Sequence, residues 1–192
     1  MDDVNFLLST LSTHRWITIL LGGLFGLMCG SFFNVVIWRM PRGESVVWPP
    51  SRCPQCQYQI KFYQNVPVLS WLWLKGKCKN CGVQISAEYP IVEAITGIAS
   101  ALTVAAVLFL FPTQPLDFKL ALLFLVLTSI PIFVIDLRHY LIPDVITLPG
   151  FVFGIALSFL PNGITPLESI SGGLSAGLFL WQIGRASCRE RV

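Results

Sequence analysis

The sequence is short of charge. Only 12% of its 192 residues are Asp, Glu, Lys or Arg, against about 25% in an average soluble domain. That shortage excludes a disordered chain and an ordinary soluble enzyme. The net charge is just +3, from 13 basic and 10 acidic residues, so a basic nucleic-acid-binding domain is excluded as well. Histidine is scarce, with only His14 and His139. No Gly-x-Ser-x-Gly elbow, phosphate loop or His-Glu-x-x-His occurs, which removes the chemistries those motifs support. No internal repeat or low-complexity tract is evident.

What the chain has is apolar length. Hydrophobic residues make up 54% of it and the mean hydropathy is +0.70. These values predict several membrane spans of about 20 residues. The first runs from Trp16 to Trp38, carries no charge and holds Gly22, Gly23, Gly26 and Gly30. Such glycines suit close helix packing in lipid. The run is long for a secretory signal, Asp2 and Asp3 open the chain ahead of it and no cleavage site is evident, so an uncleaved span is expected. Further spans are expected over about 90–111, 118–135, 145–160 and 166–181, with Pro161-Asn162-Gly163 as a turn.

Residues 39–88 differ sharply. Seven basic residues (Arg39, Arg42, Arg52, Lys61, Lys75, Lys77 and Lys79) face two acids, Glu44 and Glu88. This places the segment on the cytoplasmic side by the positive-inside rule, with the N-terminus outside. Cys53-Pro-Gln-Cys56 and Cys78-Lys-Asn-Cys81 stand 21 residues apart, close to a zinc-ribbon spacing. Two residues between thiols make a tight knuckle, and two knuckles complete a tetrahedral site for structural zinc. The competing readings, a disulfide pair or a redox Cys-x-x-Cys, fit poorly with a cytoplasmic segment that lacks a βαβ pattern.

Acids at membrane depth are functional candidates by default. Three qualify: Glu93, Asp136 and Asp144. Asp136 ends one apolar run and Asp144 begins the next, where it also suits a helix start after Pro143. Glu93 is compatible with either a basic partner or a helix cap. His139 reads as an interfacial polar residue.

The resulting fold class is an all-α polytopic membrane protein with about five transmembrane helices and an inserted small zinc-ribbon-like cytoplasmic domain. The expected divisions are 1–38, the N-terminus and first span; 39–88, the four-cysteine domain; 89–181, the remaining membrane region; and 182–192, a tail. In that tail the apolar pattern stops and three arginines appear. They are the kind of residue that anchors a helix end at the cytoplasmic face. Residues 183–192 also match, in order, the translation of a common sequencing adapter. The sequence therefore predicts a non-native tail, and a natural chain that continues past Trp181.

Four segments together resemble the bacterial type IV prepilin peptidases, bifunctional leader peptidase/N-methyltransferases of the GxGD aspartic class. They are GSFFNVVIWRMP at 30–41; the cysteine pairs bracketing NVPVLSW at 65–71; EYPIVE at 88–93; and IDLRHYLIPD at 135–144. The resemblance covers nearly everything from about Leu20 to Trp181. It implies a multi-pass protein of the bacterial inner membrane acting on prepilins or type II secretion pseudopilins. Such an enzyme removes their leader at the cytoplasmic membrane face, then methylates the new N-terminus with S-adenosylmethionine. By resemblance Asp136 is the first catalytic aspartate, Asp144 matches the acid of a Leu/Ile-Pro-Asp element, and residues 39–88 are linked with methylation. The family's second aspartate lies in Gly-x-Gly-Asp, which this sequence lacks; Gly172-Gly173 is followed by Leu174. The expectation is an aspartic peptidase whose 192-residue form is proteolytically inactive. A non-catalytic membrane zinc-ribbon scaffold is the alternative, and a membrane thiol oxidoreductase a third reading.

Overall fold

The computed structural model describes residues 14–140, 143–160 and 163–189, with side chains as far as residue 178. The Pro161-Asn162 part of the expected turn, Leu141-Ile142 of the 135–144 segment and the last residues of the tail lie outside these. Among the described residues there are six α-helices and no strand, only the isolated bridges Arg52–Gln59 and Lys77–Gln84. The helices are α1 (Arg15–Arg39), α2 (Leu69–Trp73), α3 (Glu88–Phe109), α4 (Leu116–His139), α5 (Asp144–Leu157) and α6 (Pro166–Arg189). Three stretches are long and apolar enough to cross a membrane: Arg15–Arg42, Glu88–Phe109 and Leu116–His139. Helix α5 is shorter, at 14 residues, or about 21 Å at 1.5 Å per residue.

The chain divides into two units. In the first, α1 and α3 pack along their small residues. Thr96 and Ser100 are fully buried, and Ser100 Oγ donates to the Gly22 carbonyl at 2.7 Å. A Cβ on Gly26 would sit 2.5 Å from Ser100 Cβ, and one on Gly30 would sit 2.8 Å from Glu93 Cα. Backbone contact of this kind is how helices associate where lipid tails are as apolar as leucine. The opposite face of α1, with Leu20, Leu24 and Met28, is exposed, as a lipid-facing surface should be.

The pair is antiparallel and aromatic at both ends. Trp16 lies 6.2 Å from Phe109 at one end, and Trp38 stacks on Tyr89 at 6.3 Å and 4° at the other. The Arg42 guanidinium lies over the Trp38 ring at 4.5 Å. Trp16 and Trp38 are separated by about 33 Å of helix, close to a hydrocarbon core plus its interfacial belts. Glu88 in the first turn of α3 pairs with Arg138 in the last turn of α4.

The second unit contains the start of α4 with α5 and α6. Thr165 and Glu168 form a capping box at the start of α6. The Thr165 N–H donates to Glu168 Oε2 at 2.8 Å, and the Glu168 N–H donates to Thr165 Oγ1 at 3.3 Å. Asp117 is buried in the first turn of α4 and accepts the Ile164 N–H at 3.3 Å.

Three sequence expectations shift. Residues 136–139 are the last turn of α4, four residues past the expected end of that span. The fourth apolar helix stops at Leu157, three residues before the expected end. The fifth, α6, runs on to Arg189, eight residues past its expected end at 181.

Candidate functional site

The four cysteines converge. Their Sγ atoms all lie within 4.8 Å of one another, with Cys53–Cys81 at 3.8 Å and Cys56–Cys78 at 3.9 Å. A disulfide needs about 2.05 Å. A tetrahedron of sulfurs 2.3 Å from a central zinc ion has edges of about 3.8 Å, so the donor set fits a metal of that size and preference. Four thiolates would leave it no open position, so the ion would serve structure rather than chemistry.

The local fold that does this is built twice. The Cys53 N–H donates to the Tyr58 carbonyl at 2.9 Å and the Gln57 N–H to the Cys53 carbonyl at 2.9 Å. The Cys78 N–H donates to the Val83 carbonyl at 2.8 Å and the Gly82 N–H to the Cys78 carbonyl at 3.0 Å. Ile60 to Ser51 and Ile85 to Gly76 close the two hairpins. Every partner in the second set sits 25 positions after its counterpart in the first. Gln57 and Gly82 occupy the same place and share a positive φ, 55° and 72°. Residues 51–60 and 76–85 are thus an internal repeat, contrary to the sequence reading.

The thiols differ electrostatically. Cys56 falls to about 6, first through a backbone hydrogen bond at Tyr58 and then through the Asn80 side-chain amide, whose nitrogen is 3.6 Å from the sulfur. Cys78 is also lowered, chiefly by the backbone N–H of Cys81. A backbone hydrogen bond at Val83 pulls Cys81 down, but desolvation and the three neighbouring sulfurs outweigh it and push it up to about 12. Lys79 lies 5.5 Å over the Tyr63 ring.

This module is fastened to the membrane helices through Glu93. The residue is buried in α3, and its Oε2 accepts the Val68 N–H at 2.7 Å. Val68 has φ 61° and directly precedes α2. Trp71 Nε1 donates to the Ile85 carbonyl at 3.2 Å, and a Cβ on Gly76 would come within 2.8 Å of its ring. Buried Asn34 on α1 donates to the Tyr89 carbonyl at 3.0 Å. The sequence had singled out Glu93 without a partner and had not singled out Asn34.

Asp136 is exposed on the last turn of α4. It ends an open groove of about 390 Å³ lined by Leu125, Thr128, Ser129, Ile132 and Phe133. These residues recur at three- and four-residue spacing, so the groove follows one face of one helix. Asp144 is exposed and is the first residue of α5, as its position after Pro143 predicted. Asp136 belongs to the first unit and Asp144 to the second.

Residues 24–107 match the bacterial peptidase A24 N-terminal domain, and residues 120–188 match the type IV leader peptidase family. The chain is 34% identical over 204 residues to a prepilin leader peptidase/N-methyltransferase of Dickeya chrysanthemi, covering 92% of this chain and 69% of the relative. The chain belongs to the type IV leader peptidase family. A prepilin leader peptidase/N-methyltransferase of Klebsiella pneumoniae is 38% identical, with 83% of this chain and 70% of the relative covered. One of Myxococcus xanthus is 39% identical over 82% of this chain, but the match covers 45% of that relative. Against the relative from Dichelobacter nodosus the figure is 64%; the chain thus spans less than two thirds of either. No solved structure matches it. Within the leader peptidase frame, the N-terminal-domain match takes in both knuckles and Glu93, and the peptidase match takes in Asp136 and Asp144.

Proposed function

We propose that this polypeptide carries the first catalytic aspartate and the structural metal module of a membrane aspartic endopeptidase. Its reaction is removal of the leader from type IV prepilins or type II secretion pseudopilins, followed by N-methylation. The observation that carries the reading is the position of Asp136. It sits at the end of a spanning helix, at the same end as the Arg138–Glu88 pair, in a chain of this family. A substrate whose apolar helix lies in the bilayer presents its scissile bond at that level.

In this reading Asp136 and a second aspartate work as a pair. The ionised member takes the proton from a water as it attacks the scissile carbonyl, and the protonated member donates a hydrogen bond to the carbonyl oxygen. Two acids close together in a poorly solvated site split their titrations in the way this division requires. Asp144 is placed in a supporting role. Within these 192 residues no Gly-x-Gly-Asp occurs, so the polypeptide assayed alone is expected not to cleave.

Cys53, Cys56, Cys78 and Cys81 would hold zinc as a structural cross-link. The methyl group comes from S-adenosylmethionine in this reading; no described residue is assigned to holding it. The proposed topology has five spans (α1, α3, α4, α5 and α6) in the bacterial inner membrane, with the N-terminus outside and residues 39–88 cytoplasmic. Seven basic residues in that segment support the orientation.

The test is a chimera joining residues 1–181 to the downstream segment of a full-length relative that carries Gly-x-Gly-Asp. It should cleave a prepilin in membranes, and Asp136→Asn should abolish cleavage. A chimera that cleaves equally well with Asp136→Asn refutes the assignment. One that folds and binds zinc but never cleaves favours a scaffold.

A further inference from the structure

The metal module shows an apolar face to its surroundings. Leu69, Leu72 and Trp73 follow the i, i+3, i+4 spacing of one helix face, and they are 65%, 58% and 84% exposed. The other side of α2 is used internally, through Trp71. Exposed Lys75 and Lys77 follow directly. The Val68 N–H, one residue before α2, is hydrogen-bonded to Glu93 of α3. Since the Tyr89–Trp38 stack marks the aromatic belt at this end of the helix pair, α2 begins at belt depth. The chain also leaves α1 at Arg39 and enters α3 at Glu88, at the same end.

We infer that this face of α2 is a bilayer-docking surface. Leu69, Leu72 and Trp73 lie among the headgroups of the adjoining leaflet, and Lys75 and Lys77 meet the phosphates of its anionic lipids. A short apolar face flanked by lysines gains from both burial and charge at such an interface. The same lysines disfavour a basic leader peptide as the occupant. The inference rests on α1 and α3 crossing the bilayer, but not on any catalytic assignment.

The test uses the full chain, loaded with zinc, in nanodiscs of phosphatidylethanolamine and phosphatidylglycerol or of phosphatidylcholine alone. The fluorescence lost in Trp73→Phe isolates the Trp73 signal. It should be blue-shifted relative to tryptophan in water. A doxyl group near the lipid carbonyls should quench it more than one at the chain end. Quenching should be stronger in the phosphatidylglycerol discs, and Lys75→Glu with Lys77→Glu should remove that difference. A Trp73 signal quenched by aqueous acrylamide and untouched by doxyl lipid overturns the proposal. So does shielding that arises only when a prepilin peptide is added. Trp16 and Trp38 serve as the internal reference. If doxyl lipid quenches them but not Trp73, docking alone fails; if it quenches none of the three, the spanning assignment fails too.

Discussion

Glu93 and Val68 are joined by a 2.7 Å hydrogen bond between a buried carboxylate on a membrane helix and a backbone amide 25 residues earlier. Val68 holds φ at 61°, a conformation that costs a β-branched residue energy and persists only where its surroundings enforce it. Glu93→Ala leaves that amide without its acceptor, at about 1–3 kcal/mol. Glu93→Gln keeps an acceptor and should lose less. The expected result is faster proteolysis within residues 60–76 for the alanine variant, with glutamine intermediate and zinc content unchanged in both. Equal protease resistance in all three proteins would show that the bond fastens nothing.

The duplicated knuckle makes a substitution prediction that either half alone would not. Gln57 adopts the left-handed conformation that its counterpart Gly82 adopts without a side chain. Left-handed backbone costs an L-residue about 1–2 kcal/mol. Gln57→Gly relieves that cost but removes the hydrogen bonds from Gln57 Nε2 to the Pro54 carbonyl and from Arg52 to Gln57 Oε1, worth a comparable amount. It should therefore change the thermal stability of the zinc-loaded protein little. Gly82→Ala, although a Cβ there meets nothing within 4 Å, should lower it. A stabilising Gly82→Ala would contradict the equivalence.

Metal affinity should rise with pH. Zinc binds thiolates. At neutral pH Cys56, near 6, is already ionised, while Cys81, near 12, still holds its proton. Zinc entry must displace that proton, so binding releases acid and strengthens as the solution becomes more basic. Below about pH 6 Cys56 also protonates, and the dependence should steepen. Chelator competition across pH, with proton release followed in weak buffer, measures both effects. An affinity independent of pH between 6 and 8 would contradict the protonation states assigned to these thiols. Cys53→Ser and Cys78→Ser, which remove the two buried sulfurs, should each abolish stoichiometric zinc.

Gly26→Val should separate α1 from α3. Even the first added carbon would sit 2.5 Å from Ser100 Cβ and 2.7 Å from the Thr96 carbonyl oxygen. Overpacking of this kind costs about 1–3 kcal/mol or more. Gly172→Ala is the control, since a Cβ there meets nothing within 4 Å, and helix propensity favours it by about 1 kcal/mol. Thermal aggregation in detergent should come earlier for Gly26→Val and unchanged or later for Gly172→Ala.

The parts of the fold legible from sequence were those governed by composition over a long window. An uncharged run from Trp16 to Trp38 can satisfy its backbone in lipid only as a helix, and α1 covers it. Its glycines announced the close packing against α3. The cysteine spacing pointed to the four-sulfur cluster because a knuckle needs only local backbone. Interactions without a side-chain signature stayed hidden. Glu93 has a backbone amide for its partner, and no residue type advertises that. The knuckle repeat escaped notice because aligned residues 51–60 and 76–85 share only the two cysteines, a glutamine and an isoleucine; hydrogen bonds, not side chains, carry the likeness. The third span was expected to end at about 135 because charge ended the apolar run, whereas the helix hydrogen bonds continue past Asp136 to His139.

Val68 and all of α2 lie in the loop that Cys56 and Cys78 close. An ion gripping those sulfurs therefore tethers both ends of the stretch that reaches Glu93. Stripping such an ion would free the chain on either side of Val68, so α3 would feel a chelator as a carboxylate losing its mate.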